Sequence, residues 1–108
     1  MAGKFEIFKD RGGKFRFRLK ASNGETILAS QGYASRSGVH TGIKSVRSNC
    51  KRKSCFVTKK TPSGHRFNLV AMNGRVIGTS ETYKTPRACE GGIKSIRSNA
   101  PGARIENV

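Results

Sequence analysis

The sequence predicts an α+β fold made of two tandem β-β-β-α(-β) repeats. The stretch Gly-Ile-Lys-Ser-Val-Arg-Ser-Asn at 42–49 returns at 92–99 with isoleucine in place of valine. An offset of about fifty residues aligns the two halves without a gap, which indicates a duplication. Within each half, apolar residues first alternate with polar ones and then recur every three or four residues, as strands followed by a helix do. We place repeat one at about 3–50 and repeat two at about 53–108.

Three strands are predicted at the start of the first half. Phe5 and Ile7 alternate with polar neighbours, and the turn cluster 10–13 follows them. The second strand carries apolar residues on one side: Phe15, Phe17, Leu19 and Ala21. The Asn-Gly dipeptide at 23–24 favours a type I′ hairpin. A third strand, carried by Ile27 and Ala29, completes an antiparallel meander.

A helix is predicted after the meander. Its apolar stripe recurs at helical spacing and consists of Val39, Gly42, Ile43 and Val46. Ser35 is placed to cap the amino end, and Asn49 lies where the helix should stop. Glycine inside a helix costs up to about 1 kcal/mol, so Gly42 on the stripe indicates a close approach to the sheet.

The second half repeats this order. Cys55 and Val57 alternate on a strand, the turn 61–64 follows, and the next strand faces inward with Phe67, Leu69 and Ala71. Asn-Gly at 73–74 turns the chain, and Ile77 and Thr79 continue it. Thr85-Pro86 favours a helix start, with the stripe Cys89, Gly92, Ile93 and Ile96 behind it. Pro101-Gly102 ends this helix, and 104–108 can form a last strand.

These elements predict one domain over 1–108. Each half is too short to bury a core alone, so the repeats should share one. We expect one antiparallel sheet of about seven strands with both helices on one face and a pseudo-two-fold axis between the halves. The last strand should lie beside a strand of another repeat, because alone it would be unstable. The duplication predicts a monomer that contains an internal pseudo-dimer.

Three motifs together are typical of one protein family: Asn-Gly-Glu-Thr-Ile-Leu at 23–28, the Phe-Arg-Phe strand at 15–17 and the two Gly-Ile-Lys-Ser helices. On these motifs the chain resembles the YegP-like family of small bacterial proteins, and the resemblance extends over 3–108. It implies a β-β-β-α-β unit used twice in one sheet, with exchanged carboxyl-terminal strands. It supplies no catalytic or binding residues, and we expect no cofactor.

The net charge of +16, from 22 Lys and Arg against 6 Asp and Glu, favours a polyanionic partner. Nucleic acid is the first candidate and an acidic membrane surface the second. Excess charge also keeps small domains soluble, so a basic protein with no such partner is an alternative.

Two basic surfaces are candidates for phosphate contact. The first is the open face of the sheet, where exposed rings such as Phe56 would lie beside cations and form a single-strand platform. Its candidate residues are Arg16, Arg18, Lys20 and Arg66. The second is the outer side of each helix with the following linker: Lys44, Arg47, Lys51, Arg52, Lys53, Lys94 and Arg97. An ordinary solvated sheet or helix face is the alternative for each.

Metal binding and catalysis find little support in the sequence. Cys50 and Cys55 have no second close Cys or His pair that would complete a zinc site. The six carboxylates form no clustered pair suited to acid–base work, so we expect no enzyme and no metal. The odd number of cysteines, three, argues against a disulfide framework and for a reducing compartment. No apolar run reaches membrane-spanning length. A cytoplasmic protein with no membrane role follows as an expectation.

Two functions from different classes therefore remain. The first is a nucleic-acid-binding module that contacts phosphates without base specificity. The second is a structural or protein-interaction module that offers a sheet edge or face to a protein.

Overall fold

The computed structural model describes residues 3–108 and confirms the α+β architecture. Repeat one contains β1 (Lys4–Lys9), β2 (Phe15–Lys20), β3 (Thr26–Ser30) and α1 (Arg36–Asn49). Repeat two contains β4 (Phe56–Thr61), β5 (Gly64–Val70), β6 (Val76–Thr79), α2 (Pro86–Asn99) and β7 (Arg104–Asn107). Short 3-10 helices at Lys53–Cys55 and Ala100–Gly102 follow the two α-helices.

The strands form one sheet of seven in the order β4-β5-β6-β3-β2-β1-β7. The repeats meet at the centre, where β3 and β6 are antiparallel and Ala29 pairs with Thr79. These two residues occupy equivalent positions in the repeats, so the pseudo-two-fold axis passes beside them. The exchanged last strand is also confirmed, because β7 of repeat two pairs with β1 of repeat one. This pair is parallel, which makes the sheet mixed rather than wholly antiparallel.

Both helices begin where the sequence predicted. The Ser35 side chain accepts a hydrogen bond from the Gly38 amide at 3.2 Å, and Thr85 accepts one from Ala88 at 3.1 Å. Side-chain oxygens in this position satisfy amides that have no partner within the helix. The predicted stripes are buried, and Cys89 lies in the core as a small apolar residue, 2 % exposed.

Two equivalent aromatic stacks support the helices. Tyr33 stacks on Phe17 with ring centroids 6.5 Å apart, and Tyr83 stacks on Phe67 at 6.3 Å. Gly42 and Gly92 face these tyrosines so closely that an added Cβ would lie 2.5 Å and 2.3 Å from the hydroxyl oxygens. The close approach predicted for Gly42 therefore exists, and the tyrosine hydroxyl and the Phe17 ring make it.

The gapless alignment of the repeats is wrong at β4. Phe5 pairs with Leu19, whereas Phe56 pairs with the equivalent Leu69, which makes Phe56 the counterpart of Phe5. Lys9 pairs with Phe15 across residues 10–14, whereas at the equivalent place Lys60 pairs with His65 across residues 61–64, so this connection is one residue shorter in repeat two. Because side chains alternate along a strand, this shift turns Phe56 inward and Val57 outward. The prediction that Val57 faces the core and Phe56 faces solvent is therefore contradicted.

The third strand also differs from the prediction. Leu28 pairs with Leu19 and is buried, whereas Ala29 is exposed. The pairing register shifts between Leu19 and Lys20, so β3 contains an extra residue at this point. Such a bulge reverses the alternation along the strand, and the sequence pattern does not reveal it.

Candidate nucleic-acid interface

The cations on the open sheet face of repeat one are ion-paired. The Arg18 Nε atom lies 2.6 Å from Glu6 Oε1, and the Lys4 and Lys20 ammonium groups lie 3.4 and 3.6 Å from the same carboxylate. Arg16 Nε lies 2.6 Å from Asp10 Oδ2. Both arginines are therefore neutralised in part by a neighbouring carboxylate. This weakens the attraction of the sheet face for the phosphate backbone of a nucleic acid.

Glu6 is the centre of this charge cluster and is 5 % exposed. The hydrogen bond from Arg18 lowers the pKa of the Glu6 carboxyl, and Lys4 and Lys20 act in the same direction against the opposing effect of burial. Arg16 likewise lowers the pKa of Asp10. Both carboxylates thus remain charged near neutral pH and keep their cations engaged.

We expect Glu6→Gln to lower the free energy of unfolding by about 1–2 kcal/mol near pH 7, because it leaves the surrounding cations without their shared anion. A lowered pKa in the folded state stabilises the protein above the unfolded-state pKa, and this contribution is lost as pH falls through the folded-state value. The difference between wild type and variant should therefore shrink well below pH 4.5, the ordinary value for this carboxyl. Urea unfolding at about pH 7 and about pH 3 measures it. Glu25→Gln, in an exposed turn, is the control and should change stability by less than about 0.5 kcal/mol. A difference that stays constant with pH would contradict the ion-pair explanation.

Neither candidate ring, Phe56 or Phe8, offers this face an open stacking surface. Phe56 is 8 % exposed and packs edge-on against Phe67 in the core. Phe8 is half-buried, and the Arg18 guanidinium lies 4.7 Å from its ring centroid. Asn68 takes the position of Arg18 in repeat two and accepts a hydrogen bond from Thr79. Only Arg66 of the predicted sheet-face cations is exposed and has no ion-pair partner among residues 3–108.

The helix-side cations divide into structural and free groups. Arg47 donates to the Ala103 carbonyl oxygen, and its guanidinium lies 5.5 Å from the Phe5 ring centroid. It therefore joins the end of α1 to the segment that leads into β7. Lys44 and Lys94 are exposed on the two helices, and neither forms an ion pair within the described part of the chain.

A cleft of about 400 Å³ brings part of the predicted set together. It lies between the end of α1 and the outer side of α2, and its walls are Cys50, Lys51, Lys94, Arg97 and Ser98. Arg97 donates through one terminal nitrogen to the Lys51 carbonyl oxygen at 3.2 Å, which holds the two sides together. Burial raises the pKa of the Cys50 thiol, so this side chain brings no negative charge to the cleft. Arg52 and Lys53 continue the exposed basic segment from Lys51.

Sequence reasoning identified the cations of this cleft but not its other walls. Cys50 and Ser98 line the same cleft only because α1 and α2 pack over one sheet. No spacing in the sequence predicts this. The ion pairs of the sheet face had a visible signal, since the alternation along the first two strands places Glu6 and Arg18 on the same open face. Among residues 3–108, no group of three or more His, Cys, Asp or Glu side chains could hold a metal ion. In that same range, no helix combines the length and apolar character required to span a bilayer.

Comparison with known proteins identifies a family for both halves. The family described as "Domain of unknown function (DUF1508)" matches residues 10–54 and again 63–107. A UPF0339 protein of Treponema denticola is 61 % identical over 49 residues, which cover 45 % of this chain and 84 % of that protein. UPF0339 protein YegP of Escherichia coli K12 is 47 % identical over 64 residues, which cover 59 % of this chain and 58 % of YegP.

Solved structures extend this likeness to nearly the whole chain. The solution NMR structure of E. coli YegP, described as a protein of unknown function, superposes with a TM-score of 0.93 at 42 % identity. The match covers 99 % of this chain and 93 % of that one. The NMR structure of a UPF0339 protein of Shewanella oneidensis gives a TM-score of 0.92 at 37 % identity, with 99 % and 92 % covered. The tandem units, the shared sheet and these matches together show that the chain belongs to the DUF1508 (UPF0339) family and is a YegP-like member with two repeats.

Proposed function

We propose that the protein is a small nucleic-acid-binding module that contacts backbone phosphates and does not read base edges. The observation that carries the proposal is the segregation of charge. Within residues 3–108, every ion pair uses Glu6, Asp10 or Glu106 as its carboxylate, and all three lie on strands or turns of the sheet. The helix-side cations other than Arg47 form no ion pair in that range, so their charge is available for an external anion.

The proposed contact surface is centred on the cleft between the helices. Lys51 and Lys94 present flexible ammonium groups, and Arg97 keeps donors free beside the one that binds the Lys51 carbonyl. Lys44, Arg52 and Lys53 extend the exposed positive surface beyond it. Arg16, Arg18, Lys20 and Arg47 are not part of the proposed surface, because their side chains already serve contacts within the fold.

Among the residues that the structure describes, none of those lining the cleft is an aromatic residue on which a base could stack. Phosphate contacts position a protein on nucleic acid, whereas contacts to bases provide sequence specificity. The proposal therefore implies binding that is insensitive to sequence and strongly sensitive to salt. Each phosphate contact on duplex DNA adds about 0.9 to the slope of log affinity against log salt.

The test compares two double variants that lower the net charge equally. Lys51→Glu with Lys94→Glu removes the lysines of the cleft, and Arg75→Glu with Lys84→Glu changes exposed cations elsewhere. Fluorescence anisotropy with labelled duplex DNA, single-stranded DNA and RNA, between about 50 and 200 mM salt, measures affinity and slope. The cleft variant should weaken binding and reduce the duplex slope by about 2. The control variant should retain most of the slope.

Two outcomes would overturn the proposal. The first is no binding by the wild type to any of the three probes at about 50 mM salt. The second is an equal loss in both variants, because this would indicate attraction by overall charge and no defined surface.

A further inference from the structure

The two outer edges of the sheet are equivalent by the pseudo-two-fold axis but differ in occupancy. At one edge, β1 pairs with β7. At the other, β4 is the last strand, and among residues 3–108 no further strand lies beside it. The chain leaving α1 becomes β4 itself, whereas the chain leaving α2 becomes β7, so one chain supplies only one of these outer strands.

Burial along β4 shows the effect of the empty edge. Val57 is 48 % exposed, whereas Glu6, its counterpart in the β1 register, is 5 % exposed. Thr58 is exposed, whereas its counterpart Ile7 is 2 % exposed. β4 is therefore equivalent in position to β1, which is an inner strand, but it is exposed to solvent as an edge strand is.

The backbone of β4 is oriented to accept a partner. The Ile7 carbonyl oxygen accepts a hydrogen bond at 2.9 Å from the Val108 amide, at the end of β7. Ile7 pairs with Phe17 as Thr58 pairs with the equivalent Phe67. In an antiparallel pair, alternate residues direct both backbone groups away from the partner strand. Thr58 and Lys60 thus direct their amide and carbonyl groups toward the empty edge. Phe56 directs only its carbonyl there, because its amide donates to the Lys53 carbonyl oxygen.

A groove lies beside this edge on the helix side. It has a volume of about 180 Å³ and is lined by Thr58, Lys59, Lys60, His65, Pro86 and Cys89. In repeat one, β7 lies along the equivalent edge, where Asn107 Oδ1 accepts a hydrogen bond from Arg36, the counterpart of Pro86, at 2.7 Å. Ile105 of β7 packs there against the core. The groove is therefore the equivalent of a space that a strand fills in the other half.

The charge around the β4 edge favours an acidic strand. The stretch 50–80 contains no Asp or Glu, and α2 has no acidic residue in its first turn. Lys59 and Lys60 are exposed, and since side chains alternate, they flank the edge on opposite faces of the sheet. Arg66 pairs with Lys59, and His65 pairs with Lys60, so each face carries a second basic side chain. A second copy of β4 would place lysines against lysines, which disfavours pairing between two edges.

We propose that the β4 edge binds an extended acidic segment of a partner protein, which adds to the sheet as an eighth strand parallel to β4. Main-chain hydrogen bonds to Thr58 and Lys60, and to the carbonyl oxygen of Phe56, provide the attachment, as in other cases of strand addition. Acidic side chains on both faces of the added strand meet the basic residues, and an apolar side chain occupies the position that Ile105 takes beside β1.

The probe is a fluorescein-labelled peptide of about eight residues, roughly one strand in length, with a single valine in the place of Ile105 and glutamate at the other positions, so that both faces of the added strand carry carboxylates. The same peptide with the glutamate after the valine replaced by proline is the control ligand, because proline cannot donate to a ladder. Binding is measured by anisotropy and located by NMR shifts of backbone amides. We expect shifts along 56–60 and slower amide exchange of Thr58, with no comparable change in β1 or β7.

Thr58→Pro tests the backbone contact. It removes an amide that points away from β5, so the β4–β5 pairing is retained, and it should abolish peptide binding. Lys60→Glu provides a second test that does not alter the backbone, and it should weaken binding about five- to tenfold. Lys14→Glu, an equal charge change at an exposed turn, should have less than about a twofold effect.

Three results would overturn the proposal: no binding of the acidic peptide, equal losses in Lys60→Glu and Lys14→Glu, or shifts confined to the cleft of Lys51 and Lys94. A dimer in solution with β4 amides protected in its interface would also overturn it in favour of a second copy. The Lys51→Glu, Lys94→Glu variant should bind the peptide as the wild type does, so this test is independent of the nucleic-acid proposal.

Discussion

Replacing Phe67 with alanine should lower the free energy of unfolding by about 3–5 kcal/mol. Phe67 is fully buried, meets Phe56 edge-on at 5.6 Å and stacks on Tyr83 at 6.3 Å. Truncation would remove both ring contacts and leave a cavity that the surrounding rings cannot close. Urea unfolding followed by far-UV circular dichroism measures the loss, since the chain contains no tryptophan.

The same variant tests whether the repeats form one cooperative domain. Helix α1 of repeat one packs on β5 and β6 of repeat two as well as on its own β2, so the interior is shared. Amide NMR signals from both halves should therefore disappear at the same, lower urea concentration. Phe8→Ala, at a half-buried position on the opposite face, should cost only about 1 kcal/mol. Loss of repeat-two signals while repeat-one signals persist would contradict the single shared core.

Replacing Gly92 with alanine should destabilise the protein, although alanine favours helices. An added Cβ would lie 2.3 Å from the Tyr83 hydroxyl oxygen and 2.6 Å from the adjoining ring carbon, well inside van der Waals contact. Tyr83 cannot move away freely, because its ring stacks on Phe67 and both its amide and its carbonyl group form hydrogen bonds with the backbone of His65. Overpacking of this kind costs about 1–3 kcal/mol, which exceeds the gain of up to about 1 kcal/mol in helix propensity.

Gly91 provides a matched control one residue away. It is exposed on the same helix, and an added Cβ would meet nothing within 4 Å. Gly91→Ala should therefore stabilise the protein by up to about 1 kcal/mol, so that adjacent, identical substitutions have opposite signs. Adding Tyr83→Phe to Gly92→Ala removes the clashing hydroxyl and should restore part of the stability. Equal effects of the two glycine substitutions in urea unfolding would contradict the steric explanation.

The local features of the fold were predictable because they depend on neighbours in sequence. Three examples are the cap at Ser35, the proline at the start of α2 and the buried stripes. Each depends on residues that are no more than about one helical turn from the next. The prediction failed where a single inserted residue mattered. The bulge in β3 buries Leu28 where the pattern predicted Ala29 to face the core. The shorter connection between β4 and β5 buries Phe56 where the pattern predicted Val57. With a side-chain period of two, one residue reverses every later position on a strand.

The candidate site was predictable only as a set of residue types. The sequence identified Lys51, Lys94 and Arg97 as candidates but equally identified Arg16 and Arg18. Cross-strand geometry decided between them, because it places Arg18 against Glu6 and Arg16 against Asp10. The sequence alone did not reveal that Arg47 binds the Ala103 carbonyl, since 56 residues separate the two.

By itself, the sequence determined the duplication, the order of strands and helices, and the large positive charge, since each is a property of residues read along one chain. Tertiary structure decided which of those charges remain free and which edge of the sheet remains open. Both depend on distances between segments far apart in sequence. A cation loses its availability only when a carboxylate lies within a few ångströms of it, and an edge is closed only when another strand reaches it.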